Sequence, residues 1–178
     1  MPRLITARPQ ANEHAPYYAR YIAKVPEGNL VDILTAQAST MERLLRNLDD
    51  ARAGFTYAPG KWTVREVVGH LIDTERVFSY RALSIARADP GRLPSFDQDA
   101  WEPQGEFNRR EMSDLLDEWL SVRRSTITLS TGLPEQSLAR RGIASDLEFS
   151  VLALLHIPPG HVAYHLDQLY LNYQFTRG

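Results

Sequence analysis

Two histidines stand one helical turn apart in the stretch GHVAYHLDQLY, residues 160–170, and Gln168 follows about one turn later. Side chains four apart on a helix have Cβ atoms about 5–6 Å apart. The imidazoles of His161 and His165 can therefore converge on one ion, with bonds of about 2.0–2.1 Å. Zinc proteases bearing HExxH use the same geometry with a glutamate as base. Here the motif reads HVAYH, so that protease mechanism has no base, and the pair needs a third ligand. His70 is the best placed candidate, in the middle of a long helical pattern and on the border of its apolar stripe. His156 is separated from His161 by five positions and a proline break. His14 lies in an irregular N-terminal arm and is expected to be exposed. Taken alone, a histidine placed like His70 more often serves as a hydrogen-bonded structural residue than as a ligand.

The carboxylates pose a second question. Glu75 falls inside the apolar stripe of its helix, where an unpaired charge would be costly. It is expected either to form a buried pair with an arginine or to hydrogen-bond a ligand imidazole from behind. Asp97 and Asp99, in a loop, are candidate general bases. Gln168 and Asn172 extend the stripe set by the two C-terminal histidines, and could orient ligands, face a substrate or meet solvent.

Composition narrows the chemistry. The chain has 178 residues, 43% of them apolar and 24% charged, which suits one globular domain with a substantial core. It has no cysteine. Disulfides, thiolate metal ligands and a cysteine nucleophile are thereby excluded from this chain, and a reducing compartment is the natural expectation. The N-terminal residues lack the apolar core of a signal peptide. No stretch approaches the roughly 18 apolar residues of a membrane span, so a cytoplasmic location without membrane contact is expected. A net charge of −2 gives no general attraction to nucleic acid. The arginine doublets at 109–110, 123–124 and 140–141 read as solvated surface.

Four helical patterns must position these residues. Leu30, Ile33, Leu34, Met41, Leu44, Leu45 and Leu48 form the first stripe, with Asn29 as N-cap. TVRE at 63–66 is a capping box, followed by Val64, Val68, Leu71, Ile72, Phe78, Ala82 and Ile85 up to the DPG stop at 89–91. NRRE at 108–111 reads as another box, opening a helix that buries Met112, Leu115, Leu116, Trp119 and Ile127 and ends at Gly132. The fourth runs from about Ser150 to Phe175, with a kink or restart expected at IPPG, residues 157–160. The pattern is all-α, an antiparallel four-helix bundle over residues 29–178. An arm over residues 1–28 packs on it, with a short helix near Tyr17 to Ala23 whose tyrosines lean on the bundle or border a pocket. RRGIASDLEF is expected to form a short strand or a loop. About 20 residues join the second and third helices. Such length suits either a functional loop or a crossover travelling the length of the bundle.

YAPGKWTVREVVGHLIDTERVFSYRAL (57–83), FDQDAW (96–101) and GHVAYHLDQL (160–169) resemble the DinB-like family, also called the DinB/YfiT-like metalloenzymes. The resemblance extends from the arm to the last helix. It implies a four-helix bundle holding a divalent ion with three histidines, here His70, His161 and His165, and a homodimer in many members. Zinc, nickel and iron are all implied as ions. The IPPG break departs from the uninterrupted helix the family implies and bears on the position of His161. The family's name points to a stress setting, and its characterised members include S-transferases using bacillithiol and isomerases using mycothiol.

Three neutral imidazoles leave positions open on a divalent ion. The leading expectation, drawn from the resemblance, is a transferase that activates a low-molecular-weight thiol for addition to an electrophilic substrate. A hydrolase activating water, with Asp97 or Asp99 as base, is the alternative. A third possibility is a non-enzymatic dimer or small-molecule binder, since fold does not fix function.

Overall fold

Asn29 marks where the arm ends and the bundle begins, though not by the bond its position suggests. Its side chain makes no helix cap; instead Oδ1 accepts from the backbone N–H of Ile5 at 2.9 Å, and the N–H of Leu30 donates to the Ile5 carbonyl. The arm is thus pinned across the start of the first long helix. This geometry comes from a computed structural model that describes residues 4–176.

The helices are α1 (Ala19–Ile22), α2 (Leu30–Leu45), α3 (Asp50–Ala53), α4 (Val64–Ala86), α5 (Gln98–Gly105), α6 (Met112–Gly132) and α7 (Val151–Asn172). Short 3-10 turns accompany them. The expected TVRE box is formed: Thr63 Oγ1 accepts from the N–H of Glu66, and Glu66 accepts from the N–H of Thr63. The expected NRRE box is not. Glu111 holds the N-cap position of α6 without a side-chain bond, because Asn108 is engaged elsewhere, donating to Glu66 and accepting from Thr63. Residues 141–150 form a hairpin, β1 (Arg141–Ala144) antiparallel to β2 (Leu147–Ser150). Ser145 and Asp146 both adopt positive φ in its two-residue loop, as such tight hairpins require. Ser150 then caps α7 by accepting from the N–H of Ala153.

The bundle is built from α2, α4, α6 and α7. α4 packs on α6 and α7, and α2 closes the other side against α6. Side-chain pairs give the directions. Arg46 meets Asp117 while Gln37 meets Arg123, so α2 and α6 are antiparallel. Between α4 and α6, Arg76 meets Glu118 and Ser79 meets Thr126, rising together, so these two run parallel. That parallel pair is why the α4–α6 connection must return along the bundle, and the return segment carries α5. No helix among the described residues is long and apolar enough to cross a membrane.

The apolar core divides in two. One cluster gathers Leu34, Phe78, Ile85, Phe149 and Leu154, and the other Met41, Leu71, Leu115, Trp119, Val162 and Leu166. Polar side chains occupy the layer between them. There Arg123, expected at the surface, is fully buried, because Glu75 on α4 reaches it. Ile127, expected in the core, is only half-buried, and α6 buries Thr126 and Ser130 in its place.

The proline pair does not restart α7. A proline removes an N–H and crowds the carbonyl four residues back, yet one helix runs from Val151 to Asn172 through Pro158 and Pro159. Packing from all sides compensates: every residue from Val151 to Val162 is buried, and Gln37 Nε2 donates to the Pro159 carbonyl at 2.8 Å. Gly160 lets α1 approach, since a Cβ there would collide with the backbone carbonyl of Tyr21.

Candidate metal centre

The unbroken α7 keeps His161 and His165 one turn apart on a single face, and α4 brings His70 against them. His161 Nε2 lies 3.1 Å from His70 Nε2 and 3.1 Å from His165 Nε2. Ligand atoms from all three lie within 4.8 Å of one another. Two full two-centre hydrogen bonds cannot account for this. A neutral imidazole nitrogen carries either one proton or one in-plane lone pair, so His161 Nε2 can satisfy one neighbour but not two. A cation among the three nitrogens satisfies all of them. Tetrahedral bonds of about 2.0–2.1 Å would place nitrogens roughly 3.3 Å apart, close to both observed separations.

The protonation states agree. Loss of solvent on burial pushes His70 down to about 4, opposed in part by the negative charge of Asp99. Burial, then the neighbouring His70, lowers His165 to about 3. His161 falls well below its ordinary value for the same first reason, reinforced by both imidazole neighbours and Arg20. All three are neutral at pH 7, the form a metal requires. Behind the cluster, Thr74 Oγ1 lies 3.4 Å from His70 Nδ1. It is placed to receive the ring's other N–H and so keep Nε2 free for coordination. Trp62 packs against the His70 ring, 4.9 Å between centroids, and Tyr21 stands edge-on to His161 at 5.2 Å.

The nitrogens open into a cavity of about 400 Å³. Arg20 and Tyr21 from the arm, Lys61 and Trp62 before α4, Gln98 and Asp99 from α5, and Tyr164 and Gln168 from α7 line it. The long connection is therefore both a crossover and a contributor to the site. Asp99 faces this cavity, whereas Asp97 is committed as the N-cap of α5, its Oδ1 accepting from the N–H groups of Asp99 and Ala100.

Other expectations resolve as follows. Glu75 does not reach an imidazole; both its oxygens accept from Arg123 at 2.8 Å, so it is an ion-pair residue and no second layer behind a ligand. Gln168 lines the cavity, with its Oε1 accepting from Asn172. His156 stands apart and donates from Nδ1 to the Leu152 carbonyl at 2.8 Å. His14, expected in solvent, is buried and donates to the Ala15 carbonyl. Sequence reasoning missed Thr74, although it stands one turn after His70, the spacing already used for His161 and His165. Lys61, Trp62 and Arg20 left no comparable signal.

The fold and site define a class: a helical bundle with a parallel α4–α6 pair, whose three converged histidines are a group that could hold a metal ion at the mouth of an open cavity. The chain belongs to the DinB superfamily, whose family model matches residues 33–169. Over 65 residues it is 32% identical to a protein of Oceanobacillus iheyensis named "putative metal-dependent hydrolase". That match covers 36% of this chain and 37% of the relative, so the chain aligns with little more than a third of the relative's length. Among solved structures, YfiT from Bacillus subtilis superimposes with a TM-score of 0.68 at 17% identity, covering 96% of this chain and 95% of that one. Its structure is described as that of "a probable metal-dependent hydrolase with an unusual four-helix bundle topology"; at that identity the likeness establishes the fold.

Proposed function

We propose that this chain is a metal-dependent enzyme of the hydrolase type, in which His70, His161 and His165 hold a divalent ion and Asp99 acts as general base. The observation that carries the reading is the pair of 3.1 Å separations around His161 Nε2, which two neutral-imidazole hydrogen bonds cannot share. The name of the Oceanobacillus relative is in keeping with it. Zinc, nickel and iron all suit a site of imidazole nitrogens. Bound there, a divalent ion supplies Lewis acidity and lowers the pKa of a water or thiol that meets it. The chain's own residues supply the rest. Asp99, which lines the same cavity, takes the proton of an attacking water and returns it to the leaving group. Arg20 and Lys61 hold negatively charged parts of a substrate, while Trp62 and Tyr21 shield the nitrogens from bulk water.

A second reading changes only the nucleophile. With no cysteine in the chain, a thiol must come from a cosubstrate, and Arg20 and Lys61 suit a small thiol bearing carboxylates. The transferase then adds that thiol to an electrophile.

The test is elemental analysis of untagged protein, followed by two assays: hydrolysis of a panel of esters and amides, and substitution of an aryl halide by cysteine or glutathione, with release of halide and a proton. Asp99→Asn should retain the ion and lower a detected hydrolysis by about 10²–10⁴-fold. Substitution by the thiol without hydrolysis would favour the second reading. Stoichiometric metal without turnover in either assay would leave a metal-binding protein.

A further inference from the structure

A second cavity, of about 330 Å³, shares Tyr17, Tyr21, Gln98 and His161 with the first. The ring of His161, with Tyr21 edge-on beside it, therefore borders both spaces. We propose that the second chamber receives an aromatic group of the substrate while its polar end lies in the first, with the reacting bond beside His161. This rests on the reading of the three histidines as a metal site and adds the class of molecule that the site takes.

The walls argue for it. Beyond the shared residues, the second chamber is lined by Tyr18, Phe78, Phe96, Ile157, Thr74 and Asp97. The first carries Arg20, Lys61 and Asp99 among rings of its own, so both basic side chains lie in the first chamber, while Phe78, Phe96 and Ile157 belong to the second. The aromatic walls are braced from behind. Tyr18 stands edge-on to Phe78 at 5.8 Å and to Phe149 at 5.2 Å, both in the core. Phe78 and Phe96 also flank the Arg81 guanidinium, which lies 5.2 and 5.7 Å from their centroids. These contacts hold the rings in place around the space. Edge-to-face contact with an incoming ring then adds to simple burial. The occupant is an aryl or arylalkyl compound with a polar or anionic reacting end.

Two hydroxamates test this, because both offer the same metal-binding group. Phenylacetohydroxamate should bind the metal-loaded protein about tenfold or more tightly than acetohydroxamate, from burial of its ring. Phe96→Ala, at a half-buried loop position, should abolish most of that preference and leave acetohydroxamate binding unchanged. Tyr18→Phe keeps the ring and should retain the preference. Equal binding of both probes by the parent, or a preference untouched by Phe96→Ala, overturns the chamber and leaves the metal reading standing. If neither hydroxamate binds, elemental analysis still decides the metal reading by itself, and p-cresol on the metal-free protein decides the chamber by ligand-observed NMR. Saturable binding lost in Phe96→Ala supports it, and absence of binding overturns it.

Discussion

Two buried polar clusters sit only five residues apart along α4, and they solve the same problem in opposite ways. Around Glu75, the Arg123 guanidinium donates to both carboxylate oxygens at 2.8 Å, and its remaining nitrogen reaches Gln37 Oε1 at 2.8 Å. Both charged side chains are at most 1% exposed. Around His70, three neutral rings point nitrogens at one another with too few protons and lone pairs to go round. One cluster is complete within the protein; the other leaves its nitrogens short of internal partners. A buried polar group whose partners are all internal serves architecture, and one whose partners run short marks a place for a ligand.

The largest way to break that contrast is to remove the shortage. Replacing any of His70, His161 or His165 by alanine should reduce metal from near-stoichiometric to trace levels by elemental analysis. In the parent, metal at a thousandfold excess over its Kd should add about 4 kcal/mol of stability. Chelator should therefore lower the melting temperature of the parent and not of the variants. Removing an internal partner should do the reverse. Glu75→Ala leaves Arg123 buried and unpaired, at a cost of about 3–5 kcal/mol in denaturant unfolding. Replacing the pair together, by Glu75→Leu with Arg123→Met, should recover most of that loss, since apolar substitutes of similar volume often match a buried ion pair.

Acid separates the clusters less sharply. In the metal-free protein His70 and His165 are held at about 4 and about 3, below the roughly 6.5 of an unfolded chain. The unfolded state therefore binds more protons between those values. The stability these groups contribute is fully present above about pH 6.5. It falls through the window and is gone below the folded values. Each group in its window adds a slope of up to about 1.4 kcal/mol per pH unit. Denaturant midpoints measured between pH 7 and pH 4 should fall in the parent. The decline should be shallower in His70→Ala.

The contrast also explains what the sequence could disclose. The three histidines were legible because two lie at a helical spacing on one segment and the third borders a stripe, all local signals. Glu75 announced itself as a misfit in an apolar stripe, but its partner did not. Arg123 belongs to a doublet that resembles surface, and only the parallel packing of α6 on α4 brings it inside. The same long-range packing sustains α7 through Pro158 and Pro159 and buries His14, against local expectation in each case. Asn108 carries a capping signature yet is drawn off by Glu66 and Thr63 across the connection. Local pattern marked most of the long helices and the family resemblance joined His70 to the two histidines of α7, while partners supplied from another helix stayed invisible.

Gln37 joins the two clusters and gives the smallest and most discriminating test. Its Oε1 accepts from Arg123, and its Nε2 donates to the Pro159 carbonyl, two residues before His161. Gln37→Ala removes one donor and one acceptor from a half-buried position and should cost about 1 kcal/mol of stability. If the complete cluster serves only architecture, metal affinity should stay within about twofold. If it also fixes the register of α7, the loss should appear as a roughly tenfold weaker metal affinity, the scale expected when support behind a ligand is removed. Gln37→Glu keeps the acceptor for Arg123 but loses the donor to Pro159. Weakened metal binding in that variant, with Arg123 still paired, would assign the effect to the carbonyl at the proline break and not to the ion pair.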